Sequence, residues 1–69
     1  MKEIVVITGY NSALAKETRK ILQNKFKVYS LTHNKKDTNN KDVFYWDPVN
    51  NIIDESVLLS CQHIVHLAG

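Results

Sequence analysis

Apolar residues in this chain come in short bursts, and their spacing changes from one burst to the next. Ile4–Ile7 is an unbroken apolar run rich in β-branched residues. Without polar alternation, such a run fits a strand covered on both faces, as inside a parallel sheet. Thr8-Gly9-Tyr10-Asn11-Ser12 replaces it with turn and capping residues. Over residues 13–24 the positions Leu14, Ile21 and Leu22, with Thr18 between them, predict the buried stripe of a helix. Asn11 or Ser12 can cap that helix, because a short side-chain oxygen accepts from the free N–H groups of the first turn. Arg19, Lys20 and Lys25 lie toward its carboxyl end, where they suit the helix dipole.

Lys27–Thr32 predicts a second strand on Val28, Tyr29 and Leu31. Residues 33–41 are polar and rich in Asn, Lys and Asp, the composition of a surface loop without internal pattern. Residues 43–46 predict a third strand, stopped at Asp47-Pro48 because proline restricts the residue before it and donates no hydrogen bond. Asn50-Asn51 marks a turn, Asp54 caps a short helix over 55–59, and residues 63–67 form a last β-branched strand before Ala68-Gly69.

Helices placed between strands give the βαβ unit, since parallel strands need crossovers. The expected fold is therefore α/β: a Rossmann-like parallel sheet in strand order 3-2-1-4 with helices on both faces. The 69 residues allow one domain at most, and a chain this short hides only ~60% of the surface that unfolding exposes. Because the sequence stops at a strand edge, residues 1–69 are expected to be the N-terminal part of such a domain, a truncated half of the doubly wound fold.

Composition adds exclusions. With 43% hydrophobic and 23% charged residues, the chain is neither disordered nor of low complexity. Its apolar runs fall far short of the ~20 residues of a membrane span, and Lys2-Glu3 does not open a secretory signal. The expectation is a cytoplasmic protein without a membrane partner. A net charge of +2, with bases and acids interspersed, reads as a solvated surface rather than a nucleic-acid face. The single cysteine, Cys61, excludes an internal disulfide and reads as a small buried hydrophobe. His63 and His66, three apart in a strand, point to opposite faces, so no metal site is expected.

The chemistry sits in Gly9, Asn11, Ser12, Ala13, Leu14 and Ala15, between the first strand and the first helix. Free N–H groups and the helix dipole attract anions there, and small residues let a pyrophosphate approach the backbone. A plain capped strand–turn–helix carries the same residue types, so the loop alone is a weak signal.

Further landmarks follow in order: Leu31-Thr32-His33-Asn34, Trp46-Asp47-Pro48 and His66-Leu67-Ala68-Gly69. With Ile7-Thr8-Gly9, these make the whole chain resemble the N-terminal part of an extended short-chain dehydrogenase/reductase, in the epimerase-like branch of the NAD-dependent epimerase/dehydratase family. The resemblance implies a dinucleotide cofactor held by the glycine loop, by His33 and Asn34 after strand two, by Asp47 near the adenine, and by the backbone of Leu67, Ala68 and Gly69. Ser12 and Ala15 stand where the family has glycine, and the Ser12 hydroxymethyl is expected to weaken affinity.

Cofactor choice is expected at the end of strand two, where an acid accepts from a ribose hydroxyl and a base holds a 2′-phosphate. His33 stands where the resemblance implies arginine, Lys35 and Lys36 follow, and the first acid is Asp37. Of NADP and NAD, the expectation mildly favours NADP, although the lysines also suit a solvated loop. Asp47 is equally a turn residue before Pro48, Trp46 reads as packing, and His66 reads as a satisfied core histidine rather than an acid–base group.

Family members use a Tyr-x-x-x-Lys pair as acid–base and ribose holder. Here Tyr10, Tyr29 and Tyr45 are followed four residues later by Leu14, His33 and Val49. The chain is thus expected to bind a dinucleotide without the catalytic half. The alternatives are a non-catalytic nucleotide-binding or redox-sensing module acting through self-association or a partner, and an interaction protein that kept only the fold. Self-association is expected at the edge of strand 63–67, whose Ile64, Val65 and Leu67 lack the charges or proline that guard natural edges.

Overall fold

In the computed structural model, which describes residues 2–67, β1 (Ile4–Ile7) runs through the middle of a four-stranded, all-parallel sheet. β2 (Lys27–Thr32) and β3 (Val43–Tyr45) lie successively on one side of β1, and β4 (His63–Val65) lies on the other. The order β3-β2-β1-β4 agrees with the sequence expectation. Register pairs Val5 with Val28 and His63, and Ile7 with Ser30 and Val65.

Successive β1 side chains point to opposite faces, and each face has its own cover. Val5 and Ile7 pack with Val28 and with Ala15 of helix α1 (Ala13–Leu22). Val6 packs with Leu31 and with Val57 of the shorter helix α2 (Glu55–Ser60). This two-sided burial is why the first run needs no polar alternation. The β1-α1-β2 and β3-α2-β4 crossovers travel in opposite directions across the sheet and use opposite faces. Reversing both keeps one hand, as parallel crossovers require.

Several expectations are corrected in detail. Leu14 and Ile21 are not the buried stripe of α1, being 62% and 69% exposed, whereas Ala15 is fully buried and Leu22 packs against its cluster. The helix is rotated so that its smallest side chain meets the sheet, which lets the first turn approach β1 closely. It ends at Leu22 rather than near residue 24, as the Gln23 N–H closes on the Arg19 carbonyl at 2.9 Å and that of Phe26 on Leu22 at 2.8 Å. The loop after β2 is not patternless. Asn34 caps a 3₁₀ turn over Lys35–Asn39 by accepting from the Lys36 N–H.

β3 stops at Tyr45, although the Trp46 N–H still reaches the Thr32 carbonyl at 2.9 Å. Asp47 and Ile52 then exchange two backbone hydrogen bonds, with Asn51 in the left-handed region at φ 60°. The expected Asn50-Asn51 turn is therefore the tip of a small closed loop. β4 covers only His63–Val65, not 63–67: the Thr8 N–H bonds the Val65 carbonyl, and the Leu67 N–H turns to the Thr8 hydroxyl at 2.9 Å.

Candidate functional site

The strands' carboxyl ends converge on one cleft of about 330 Å³, lined by residues 9–12, residues 31–34 and Leu67. It opens where the chain leaves β1 toward β2 on one side while β4 returns on the other. In open α/β sheets this switch of direction leaves a crevice between diverging loops.

The floor is built from the turn after β1. Gly9 has φ 73°, a left-handed conformation that a side chain would penalise. The turn is held from both sides, since the Tyr10 N–H donates to the Leu31 carbonyl at 3.3 Å and the Ser12 N–H to the Gly9 carbonyl at 3.0 Å. Arg19 reaches back from α1, donating to the Tyr10 carbonyl at 3.0 Å with its guanidinium 4.4 Å from the centre of the Tyr10 ring.

Of the two possible caps, Ser12 is the one used, and its Oγ accepts from the Ala15 N–H at 3.0 Å. One of the donors that an anion would seek is therefore already taken. The N–H groups of Ala13 and Leu14 belong to the same first turn, where an α-helix offers no internal acceptor. Ala15 serves less as a ligand contact than as the residue that seats the helix on the sheet.

Asp37, the first acid after β2, is brought back to these walls by a turn that the sequence does not reveal. From the 3₁₀ turn its Oδ2 accepts from Thr32 Oγ1 at 2.7 Å and from Asn11 Nδ2 at 2.9 Å, and both donor residues line the cleft. The hydrogen bond from Thr32, then that from Asn11, holds the Asp37 carboxyl below the ordinary aspartate value. The available signal was Asn34 followed by an acid three residues on, a pattern that resembles a helix start.

The other expected site residues are only partly brought together. His33 and Asn34 line the cleft. The His33 ring stacks on Trp46 with centroids 5.4 Å apart, and its Nδ1 lies 3.2 Å from the Trp46 carbonyl. Lys35 places its ammonium 5.2 Å from the Tyr45 ring centre, and neither Lys35 nor Lys36 lines the cleft. Asp47 is occupied within its own loop, accepting from the Asn50 side chain at 2.6 Å and from the Val49 N–H at 3.1 Å. The Asn50 side chain is the main reason its carboxyl titrates below the ordinary value. Leu67 reaches the cleft, while Ala68 and Gly69 lie outside the described residues.

His66 corrects an expectation. It is exposed and beyond β4 rather than buried in it, with Nδ1 3.0 Å from Thr8 Oγ1 and its ring edge-on to Trp46. His63 sits apart beside Glu3, at 3.3 Å. Among the described residues no group of three His, Cys, Asp or Glu gathers to hold a metal, and no helix is long and apolar enough to cross a membrane.

Comparisons with protein-family models, with curated proteins and with solved structures found no match.

Proposed function

We propose that this chain binds a dinucleotide, NAD or NADP, with the pyrophosphate over the turn at residues 9–12, as the nucleotide-binding part of an epimerase/dehydratase-like oxidoreductase. The observation that carries this reading is the coincidence of three features at one place. The left-handed Gly9, the first turn of α1 and the cleft at the sheet's change of direction all meet there. The helix supplies N–H donors and a positive dipole end for the phosphates, and Gly9 leaves the backbone uncovered. Leu31, Thr32 and His33 form the side on which an adenosine would lie. The acid–base pair of the family is not encoded in this chain, so the proposed activity is binding.

Titration calorimetry with NAD and NADP tests the proposal. One-to-one binding of at least one of them, displaced by ADP, is the expected result. No saturable heat from either up to millimolar concentration would overturn it. A second reading, a non-catalytic module that acts through self-association, is favoured by one observation: Ile64 on β4 is 58% exposed and Leu59 on α2 is 86% exposed.

A further inference from the structure

We propose a second binding site, at the amino end of the sheet, for a small free anion that carries several linked phosphates. It lies at the opposite end of the strands from the cleft and does not depend on the dinucleotide reading.

Along the sequence the bases are interspersed with acids, but the fold sorts them. Lys2 precedes β1, Lys27 opens β2, and Lys41 and Asp42 lead into β3. Because the strands are parallel, these residues all arrive at one end of the sheet. There they line a cavity of about 410 Å³ together with Phe26 and Val28. A neighbouring cavity of about 270 Å³ shares Val28, Lys41 and Asp42 with it and adds Arg19. The two gather four bases and one acid. The rest of the sequence holds five bases and six acids, so the chain's positive excess is concentrated in this groove.

The charges there are not neutralised within the protein. Among the described residues the ion pairs are Lys20 with Glu17 and His63 with Glu3, so none of the four bases has an ion-pair partner, Asp42 included. Backbone contacts nonetheless hold the groove in shape. The Lys2 ammonium donates to the Gln23 carbonyl at 3.1 Å, which ties it to the end of α1. That contact also offsets the partial negative charge of the helix's carboxyl end. The Ser30 N–H donates to the Asp42 carbonyl at 2.9 Å and fixes the corner that carries Lys41 against β2. Like charges held around a concavity focus a positive potential, and an anion entering it breaks no ion pair.

The lining selects the ligand. A lysine is a compact point charge with three donors, so three lysines around one cavity suit closely spaced phosphates. A nucleic-acid strand would need free aromatic faces for its bases to stack on. Phe26 is instead engaged edge-on with His63, their centroids 5.4 Å apart, and the Arg19 guanidinium covers Tyr10 at 4.4 Å.

The test is calorimetric titration of inorganic tripolyphosphate into the wild-type chain and double variants at ~0.05 M salt. Wild type should saturate. An exposed ion contact contributes up to about fivefold in affinity, so Lys27→Gln with Lys41→Gln should weaken binding by about tenfold. Lys27→Arg with Lys41→Arg keeps both charges and should bind nearly as wild type does, which separates loss of charge from a disturbed fold. Lys35→Gln with Lys36→Gln removes the same charge elsewhere and should change affinity by less than about twofold. Raising salt to ~0.3 M should weaken wild-type binding through screening. The inference would be overturned by the absence of saturable heat from wild type, by unchanged binding in the Lys27/Lys41 glutamine variant, or by equal loss in both glutamine variants. An oligothymidylate that binds more tightly than tripolyphosphate would also overturn it, because the groove would then serve a nucleic acid.

Discussion

Replacing Ser12 with glycine should tighten ligand binding while lowering stability slightly, and the structure gives the size of each change. Ser12 Oγ accepts from the Ala15 N–H at 3.0 Å, so the cap occupies a donor that a phosphate would use. Glycine is itself a tolerated cap, and exchanging serine for it costs only a few tenths of a kcal/mol. A loss near 0.3 kcal/mol lowers the melting temperature of a domain this size by roughly 1–3 °C. The freed N–H can then bond a charged oxygen, an interaction of about 1.5–3 kcal/mol. Removing the hydroxymethyl also lets the pyrophosphate settle closer to the backbone. Allowing for imperfect alignment, about 1.4 kcal/mol of gain is a tenfold lower Kd. Ser12→Ala separates the two effects: it frees the same N–H but loses the cap at about 1 kcal/mol, a larger fall in melting temperature. Calorimetric titration with NAD, alongside thermal unfolding of all three proteins, is the assay. If Ser12→Gly leaves Kd unchanged while melting as expected, the turn is not where the phosphates lie.

Further outcomes follow from single features. Ala15→Leu should lose about 1–3 kcal/mol in urea unfolding, because Ala15 is fully buried where α1 meets β1 and has no room for added carbons. Asp37, Asp47 and Asp54 all titrate below the ordinary aspartate value, chiefly through hydrogen bonds from Thr32, Asn50 and Ser56 respectively. Their contribution is therefore complete above the unfolded-state value and is lost as pH falls through the lowered folded values, so urea midpoints should hold near neutrality and drop below about pH 4. Substrate-dependent oxidation of NADH or NADPH by this chain should not exceed that of a denatured control, since no Tyr-x-x-x-Lys pair is encoded. The outer edge of β4 has no strand partner among the described residues and carries the exposed Ile64, so sedimentation should show mass rising with concentration; a folded chain that stays monomeric throughout would refute the edge argument.

What could be read from the sequence was what the backbone period dictates. Ile4–Ile7 and Lys27–Thr32 form strands at the expected bounds because β-branched runs buried on both faces leave little choice of register. The expected strand order came with the Rossmann-like fold that the strand–turn–helix pattern and the landmarks suggest, not from any single residue, and the sheet has that order. Helix α1 was placed well but rotated wrongly. Its stripe was inferred from the largest apolar side chains, whereas close packing on the sheet selected Ala15, which carries little hydrophobic signal. The cleft's glycine turn could be found because Gly9 and a capping serine are local signals. Asp37 could not be found from strand ends, since its position depends on a 3₁₀ turn that a polar run conceals. Asp47 takes the turn role that its place before Pro48 also predicted, accepting within its own loop, while His66 lies exposed beyond β4 and paired with Thr8 instead of buried in a strand.

The loop's internal hydrogen bonds bear on how any ligand would bind. Ser12 satisfies Ala15, Asp37 satisfies Asn11, the Leu31 carbonyl satisfies the Tyr10 N–H, and Arg19 satisfies the Tyr10 carbonyl. Two N–H groups that a phosphate-binding turn usually leaves for its ligand, those of Tyr10 and Ala15, are here partnered within the protein, whereas those of Ala13 and Leu14 lie in the first helical turn with no acceptor inside the helix. At the Ala15 N–H a ligand would exchange one hydrogen bond for another, and exchange contributes less net free energy than satisfying an unpaired donor. The turn is ordered by its own contacts, and ordering it adds little to the cost of binding. If the proposed dinucleotide binds here, the expected affinity is modest and depends on few contacts. Ser12, which lines the cleft and holds the Ala15 N–H, is then the position where a single substitution should alter binding most.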